Sequence, residues 1–89
     1  MYHKDGRQVE LADGSVVAVC TTENAANFIA AALEDYDGVT FYELEGNYTV
    51  EDNKGSFAVK NVNRGHDICQ CQDRNIAHYV AAIYNSVLS

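Results

Sequence analysis

The chain reads as a single α+β domain, one antiparallel sheet with two helices packed on one face and an internal two-fold repeat. Three observations predict it. Two stretches with apolar residues at helical spacing each follow a strand, turn, strand pattern. Sliding the sequence by 51 residues superposes those stretches without a gap. Every link between strands is of hairpin length, which favours antiparallel neighbours. The predicted order is ββα-ββ-ββα, with repeat units at about residues 7–35 and 57–87 and an acidic hairpin at 36–55 between them. A swapped dimer of half-domains is the alternative arrangement.

Met1–Arg7 is polar and short, so it is expected to fray and to leave His3 without a role. Gln8–Ala12 and Ser15–Cys20 are β-rich runs joined by Asp13-Gly14, a pair suited to a hairpin turn. Thr22 is placed to cap a helix whose apolar face is Ala25, Ala26, Ile29, Ala32 and Leu33. Gly38–Glu45 and Tyr48–Asp52 read as two strands turned at Gly46-Asn47, and Asp52–Gly55 turns the chain onward. Phe57–Val62 and His66–Cys71 flank Asn63-Arg64-Gly65, a three-residue loop with Gly in the left-handed position. Asp73 caps the last helix, whose apolar positions include Ile76, Val80, Ile83 and Val87. His78, Arg74, Asn75 and Asn85 are expected on its polar side.

The repeat aligns Gly14–Leu33 with Gly65–Tyr84. Gly14, Cys20, Asn24, Ala26, Ala30 and Ala31 are identical to their partners, and Val17 with Ile68 and Phe28 with Tyr79 are conservative. Turn glycine, strand, cap and helix core agree in one register, a pattern of self-similarity with structural meaning.

With 89 residues and 47% apolar content, residues 1–89 form one globular domain with a small core. A homodimer would enlarge that core. Three cysteines and no apolar stretch of leader length at the start point to a reducing cytosol. Thirteen acids against six scattered bases argue against direct nucleic-acid binding, and no apolar run is long enough to cross a membrane.

The net charge of -7 is local. Residues 34–52 hold Glu34, Asp35, Asp37, Glu43, Glu45, Glu51 and Asp52 with no Lys or Arg among them, while the rest of the chain balances. Tyr36, Tyr42 and Tyr48 set aromatic rings among these carboxylates, a composition suited to docking on an Arg-rich surface. A solvated edge hairpin, with charge that blocks strand pairing, explains the same residues without a partner. A divalent-cation site from Glu43, Glu45, Glu51 or Asp52 is a further alternative.

His66, Cys69 and Cys71, with His78, offer zinc-type ligands, but without knuckle spacing they read better as thiols under a helix. No phosphate loop, nucleophile elbow or zinc-protease motif is present, so neither a catalytic residue nor a cofactor is assigned. Asn24 and Asn75 are helix first-turn residues that could also line a small-ligand cleft. A nucleotide there would need Lys4, Arg7, Arg64 or Arg74 to converge.

The string Val17–Leu33 and its second copy, Ile68–Asn85, resemble hairpin-helix segments of small accessory proteins encoded by bacteriophages. Size and acidity are also similar to phage counter-defence proteins of the anti-CRISPR and antirestriction type. That resemblance implies a stoichiometric inhibitor acting in the host cytoplasm, its partner a protein or ribonucleoprotein complex with a basic surface. No motif of that group carries over residue by residue.

Overall fold

A computed structural model describes residues 2–36 and 46–88. Six strands, β1 (Tyr2–Asp5), β2 (Gln8–Leu11), β3 (Val16–Cys20), β4 (Tyr48–Asp52), β5 (Phe57–Asn61) and β6 (His66–Cys71), form one antiparallel sheet. Helix α1 (Glu23–Leu33) follows β3 and α2 (Arg74–Leu88) follows β6. The sheet order is β1-β2-β3-β6-β5-β4, so β3 and β6 are central and β1 and β4 are the edges. Helix α1 packs over the first three strands and α2 over the last three. The expected α+β class and single sheet are thus observed. The expected strand at Gly38–Glu45 falls outside the described residues.

The N-terminus departs from expectation. Tyr2–Asp5 pairs in register with Gln8–Leu11 through the two-residue turn Gly6-Arg7, and His3 Nε2 lies 3.2 Å from Glu10 Oε1. Four residues of mixed polarity carry too little alternation to announce a strand. The edge position explains them, because only one side of the strand needs partners and polar side chains discourage further pairing.

Each helix starts where a side-chain oxygen satisfies its first orphan N–H groups. Thr22 Oγ1 accepts from Ala25 N at 3.1 Å, and Asp73 Oδ1 accepts from Asn75 N at 2.7 Å and Ile76 N at 3.3 Å. The turns before the central strands need glycine. Gly14 has φ 92 and Gly65 φ 73, a left-handed backbone costly for other residues.

The core lies between sheet and helices. Val9, Val59, Ile29, Leu33 and Val80 are essentially fully buried there, each side chain contributing about 1.5–3 kcal/mol by leaving water. Cys20, Cys69 and Cys71 occupy the same layer. Alternation breaks at one residue in each central strand. Val9 pairs Ala18 while Glu10 pairs Val16, leaving Val17 as a bulge; Val59 pairs Cys69 while Lys60 pairs Asp67, leaving Ile68 as another.

The two bulges are 51 residues apart, and the ladder between β3 and β6 maps onto itself under that offset. Ala18 pairs Cys71, Val19 pairs Gln70 and Cys20 pairs Cys69. Thr21 N donates to Ile68 O at 2.9 Å, and Gln72 N donates to Val17 O at 3.0 Å. Each bulged carbonyl therefore accepts from the residue that leads into the opposite helix.

Candidate functional site

The described acidic residues of the segment 34–52 lie at two places. Glu34 and Asp35 follow α1, and Glu34 Oε2 accepts a hydrogen bond from Tyr2 N on β1 at 2.9 Å. Glu51 and Asp52 are on β4, at the opposite edge of the sheet. Five strand spacings separate those edges, roughly 24 Å. Both Glu51 and Asp52 are exposed, with Lys60 Nζ 3.8 Å from Glu51 Oε2. Asp37, Tyr42, Glu43 and Glu45 lie outside the described residues.

The two described tyrosines of this group pack inward. Tyr36 lies on Tyr79 with ring centroids 5.1 Å apart, and Tyr48 lies on Tyr84 at 5.0 Å. Each is half-buried against α2, so its ring is engaged within the fold.

A different feature emerges at one end of the sheet, where two cavities of about 490 and 420 Å³ share His66 and Ile68. Together they make a groove. The smaller lobe is largely apolar, formed by Thr21 and Ala25 at the entry of α1, by Phe28, and by Tyr84 of α2. The larger lobe is of mixed polarity, with Asn47, Asn61, Asn63 and Arg64 around Tyr48. Phe28, Tyr84 and Tyr48 form a continuous aromatic row, with centroids 4.9 and 5.0 Å apart, that links the lobes.

Local chemistry holds this groove open. The bulge at Ile68 interrupts the alternation of β6, leaving Ile68 half-buried between sheet and α1. Its carbonyl is engaged by both Thr21 N and Thr21 Oγ1, the latter at 3.1 Å, which pins the α1 entry. Asn61 Oδ1 accepts from Asn63 N at 3.0 Å and Arg64 N at 3.2 Å, shaping the loop that presents Arg64. Asn85 Oδ1 accepts from Tyr48 N at 2.9 Å while its Nδ2 donates to Tyr48 O at 3.0 Å, fixing the start of β4.

Asn85 is therefore not on the polar side of α2, as its sequence context predicts, but 6% exposed. Burial of an amide is favourable here because both of its polar ends meet backbone groups. Of the four bases of which a nucleotide would need some to converge, only Arg64 lines the groove. Lys4 pairs with Glu23 at 3.8 Å, Arg74 lies 5.6 Å over the Phe57 ring, and Arg7 sits in the first turn. Asn24 lines the apolar lobe, whereas Asn75 is exposed at the start of α2.

The thiols form a buried cluster. Cys69 Sγ lies 3.6 Å from Cys71 Sγ, and Cys20 faces Cys69 across the central ladder. Hydrogen bonds with Cys20 and then Cys71, followed by burial, push the Cys69 thiol well above the ordinary range. A thiol so raised stays protonated and is a poor nucleophile at neutral pH. Among the described residues no three His, Cys, Asp or Glu side chains are grouped to hold a metal ion. No helix among them is long and apolar enough to cross a membrane.

No protein-family model, curated protein or solved structure matches this chain significantly.

Proposed function

We propose that this protein is a non-enzymatic binding protein that takes a small ligand into the groove between the α1 entry, the C-terminal half of α2 and the start of β6. The carrying observation is that two neighbouring cavities, one largely apolar and one of mixed polarity, share His66 and Ile68 in their walls. Their size lies in the range of small-molecule sites, and an apolar floor with a few polar groups is the usual composition of such sites.

Thermal-shift screening of small molecules tests the reading, because a ligand that binds only the folded chain stabilises it by mass action. At a hundredfold excess over Kd the gain is about 2.7 kcal/mol, which is on the order of 10–20 °C for a domain of this size. Ile68→Trp, which fills the junction of the lobes, is expected to abolish the shift. A shift unchanged in Ile68→Trp would move the site elsewhere.

A second reading follows the resemblance to phage counter-defence proteins: a stoichiometric inhibitor whose acidic residues dock on the basic, nucleic-acid-binding groove of a host complex. One observation favours it, the concentration of seven acids and no bases in residues 34–52. Complementary charge accelerates association and is screened by salt. Capture of such a complex should fail with Glu43→Lys and Glu45→Lys, or Glu51→Lys and Asp52→Lys, and should weaken steeply with ionic strength. Salt-independent capture by these variants would end this reading.

A further inference from the structure

Building on the groove reading, we propose that the ligand is a planar aromatic molecule carrying one anionic group, its ring in the apolar lobe and its carboxylate or phosphate directed to Arg64 and His66. The polarity of the groove is graded along its length. Phe28, Ile68, Ala25 and Tyr84 surround one end, so a ring placed there would replace water against apolar and aromatic surface. At the other end Asn63 and Arg64 offer hydrogen-bond donors, and His66 stands between the two.

Charge sets the sign of the polar group. The chain carries thirteen carboxylates, yet no Asp or Glu lines either lobe among the described residues, while an arginine and a histidine do. A cationic ligand long enough to span both lobes would meet the like charge of Arg64 with no described carboxylate to offset it. An anionic one would meet the planar guanidinium of Arg64, which matches the geometry of carboxylate and phosphate oxygens. Arg64 and His66 are both exposed, so little other structure must move for an anion to reach them.

Two sources share this chemistry, an aromatic carboxylate and a nucleoside monophosphate. Titration followed by amide chemical shifts separates them, using indole-3-acetate against indole-3-acetamide and adenosine 5′-monophosphate against adenosine. The acid of at least one pair is expected to bind about tenfold or more tightly than its neutral counterpart, as a charge-assisted hydrogen bond provides. The shifted amides should include Thr21, Ile68 and Tyr48. In Arg64→Gln/His66→Gln the preference for the acid over its neutral counterpart should collapse to within about twofold. Both substitutions are at exposed positions, and an unaltered unfolding temperature checks that the fold persists.

If the neutral compounds bind at the groove as well as the acids do, the anion assignment is overturned and the groove reading stands. If shifts at the groove occur with neither acid nor neutral member of either pair, the aromatic-anion class is overturned. If thermal-shift screening also finds no ligand abolished by Ile68→Trp, the groove reading falls with it.

Discussion

The two edge strands are held by the helix above them at positions 51 residues apart, yet with unequal grip. Glu34, just past α1, accepts from the first described amide of β1, at Tyr2. Asn85, inside α2, engages both the amide and the carbonyl of the first residue of β4, at Tyr48. The helix lengths explain the difference. Helix α1 ends at Leu33, so Glu34 is an exposed cap position, whereas α2 runs on to Leu88 and carries Asn85 into the interior. A flexible carboxylate serves where water is present, and a fully paired amide serves where it is not. The same offset contrasts the bulges. Val17 is 8% exposed, and Tyr79, which occupies the place of Phe28 in the second half, is covered by Tyr36 and donates its hydroxyl to Ala32 O. Ile68 is only half-buried and opens on the groove. The bulge that stays covered closes its end of the sheet, and the one left half-covered borders the cleft.

Removal of the stronger grip gives the largest expected effect. Asn85→Ala leaves two Tyr48 backbone groups without their partner in a partly buried place, at about 2–3 kcal/mol, or on the order of 10–20 °C in unfolding temperature. Hydrogen exchange at the Tyr48 amide should accelerate. A loss no larger than that of Glu34→Ala would erase the distinction between the halves.

What the sequence revealed and what it hid follow the same division between local and non-local causes. Helix caps at Thr22 and Asp73, glycine turns at Gly14 and Gly65, and the strands at Tyr48–Asp52 and His66–Cys71 were legible because each is set by a few adjacent residues. The bulges were not, since one skipped residue depends on how two strands register. Aromatic rings among carboxylates at Tyr36 and Tyr48 read as a docking surface, but partners on α2, distant in sequence, draw those two rings inward. The groove combines residues from Thr21 to Tyr84, and only topology brings them together.

The next effect separates the halves by pH. Burial raises the Tyr84 phenol above its ordinary value of 10.0, with nearby Cys69, Cys20 and Tyr48 as smaller causes. A folded-state pKa above the unfolded one means that the unfolded chain releases the proton first. The associated stability is therefore intact below about pH 10 and declines above it, by up to about 1.4 kcal/mol per pH unit. Position 33, the counterpart in α1, is Leu and has nothing to ionise. Denaturant unfolding at pH 9 and 11 should show this loss, and Tyr84→Phe should reduce it. An identical alkaline loss in Tyr84→Phe would assign it to other groups.

The weaker grip is the third measurement. Glu34→Ala should cost about 0.5–1 kcal/mol, because an exposed amide regains water when its acceptor leaves. Faster exchange should be confined to the β1 hairpin. A cost above about 2 kcal/mol would mean that the first edge depends on its helix as strongly as the second.

The smallest effect concerns the outer hairpin turns, where the halves use different residues for the same reversal. Gly6, at φ 65, leads the turn of the first half. In the second, Asn53 N donates to Ser56 O at 2.9 Å, and the residues between, Lys54 and Gly55, have φ 48 and 97. Positive φ at both central positions is what a type I′ hairpin requires, and its preferred first residue is Asn. Lys at that place bears a steric cost of about 1 kcal/mol from its Cβ. Lys54→Asn should therefore stabilise the protein by about 0.5 kcal/mol, raising the denaturant midpoint without changing its slope. The gain should persist at high salt, since it comes from backbone conformation and not from loss of the lysine charge. A gain that vanishes with salt, or appears equally in Lys54→Gln, would trace it to charge and remove the contrast between the two turns.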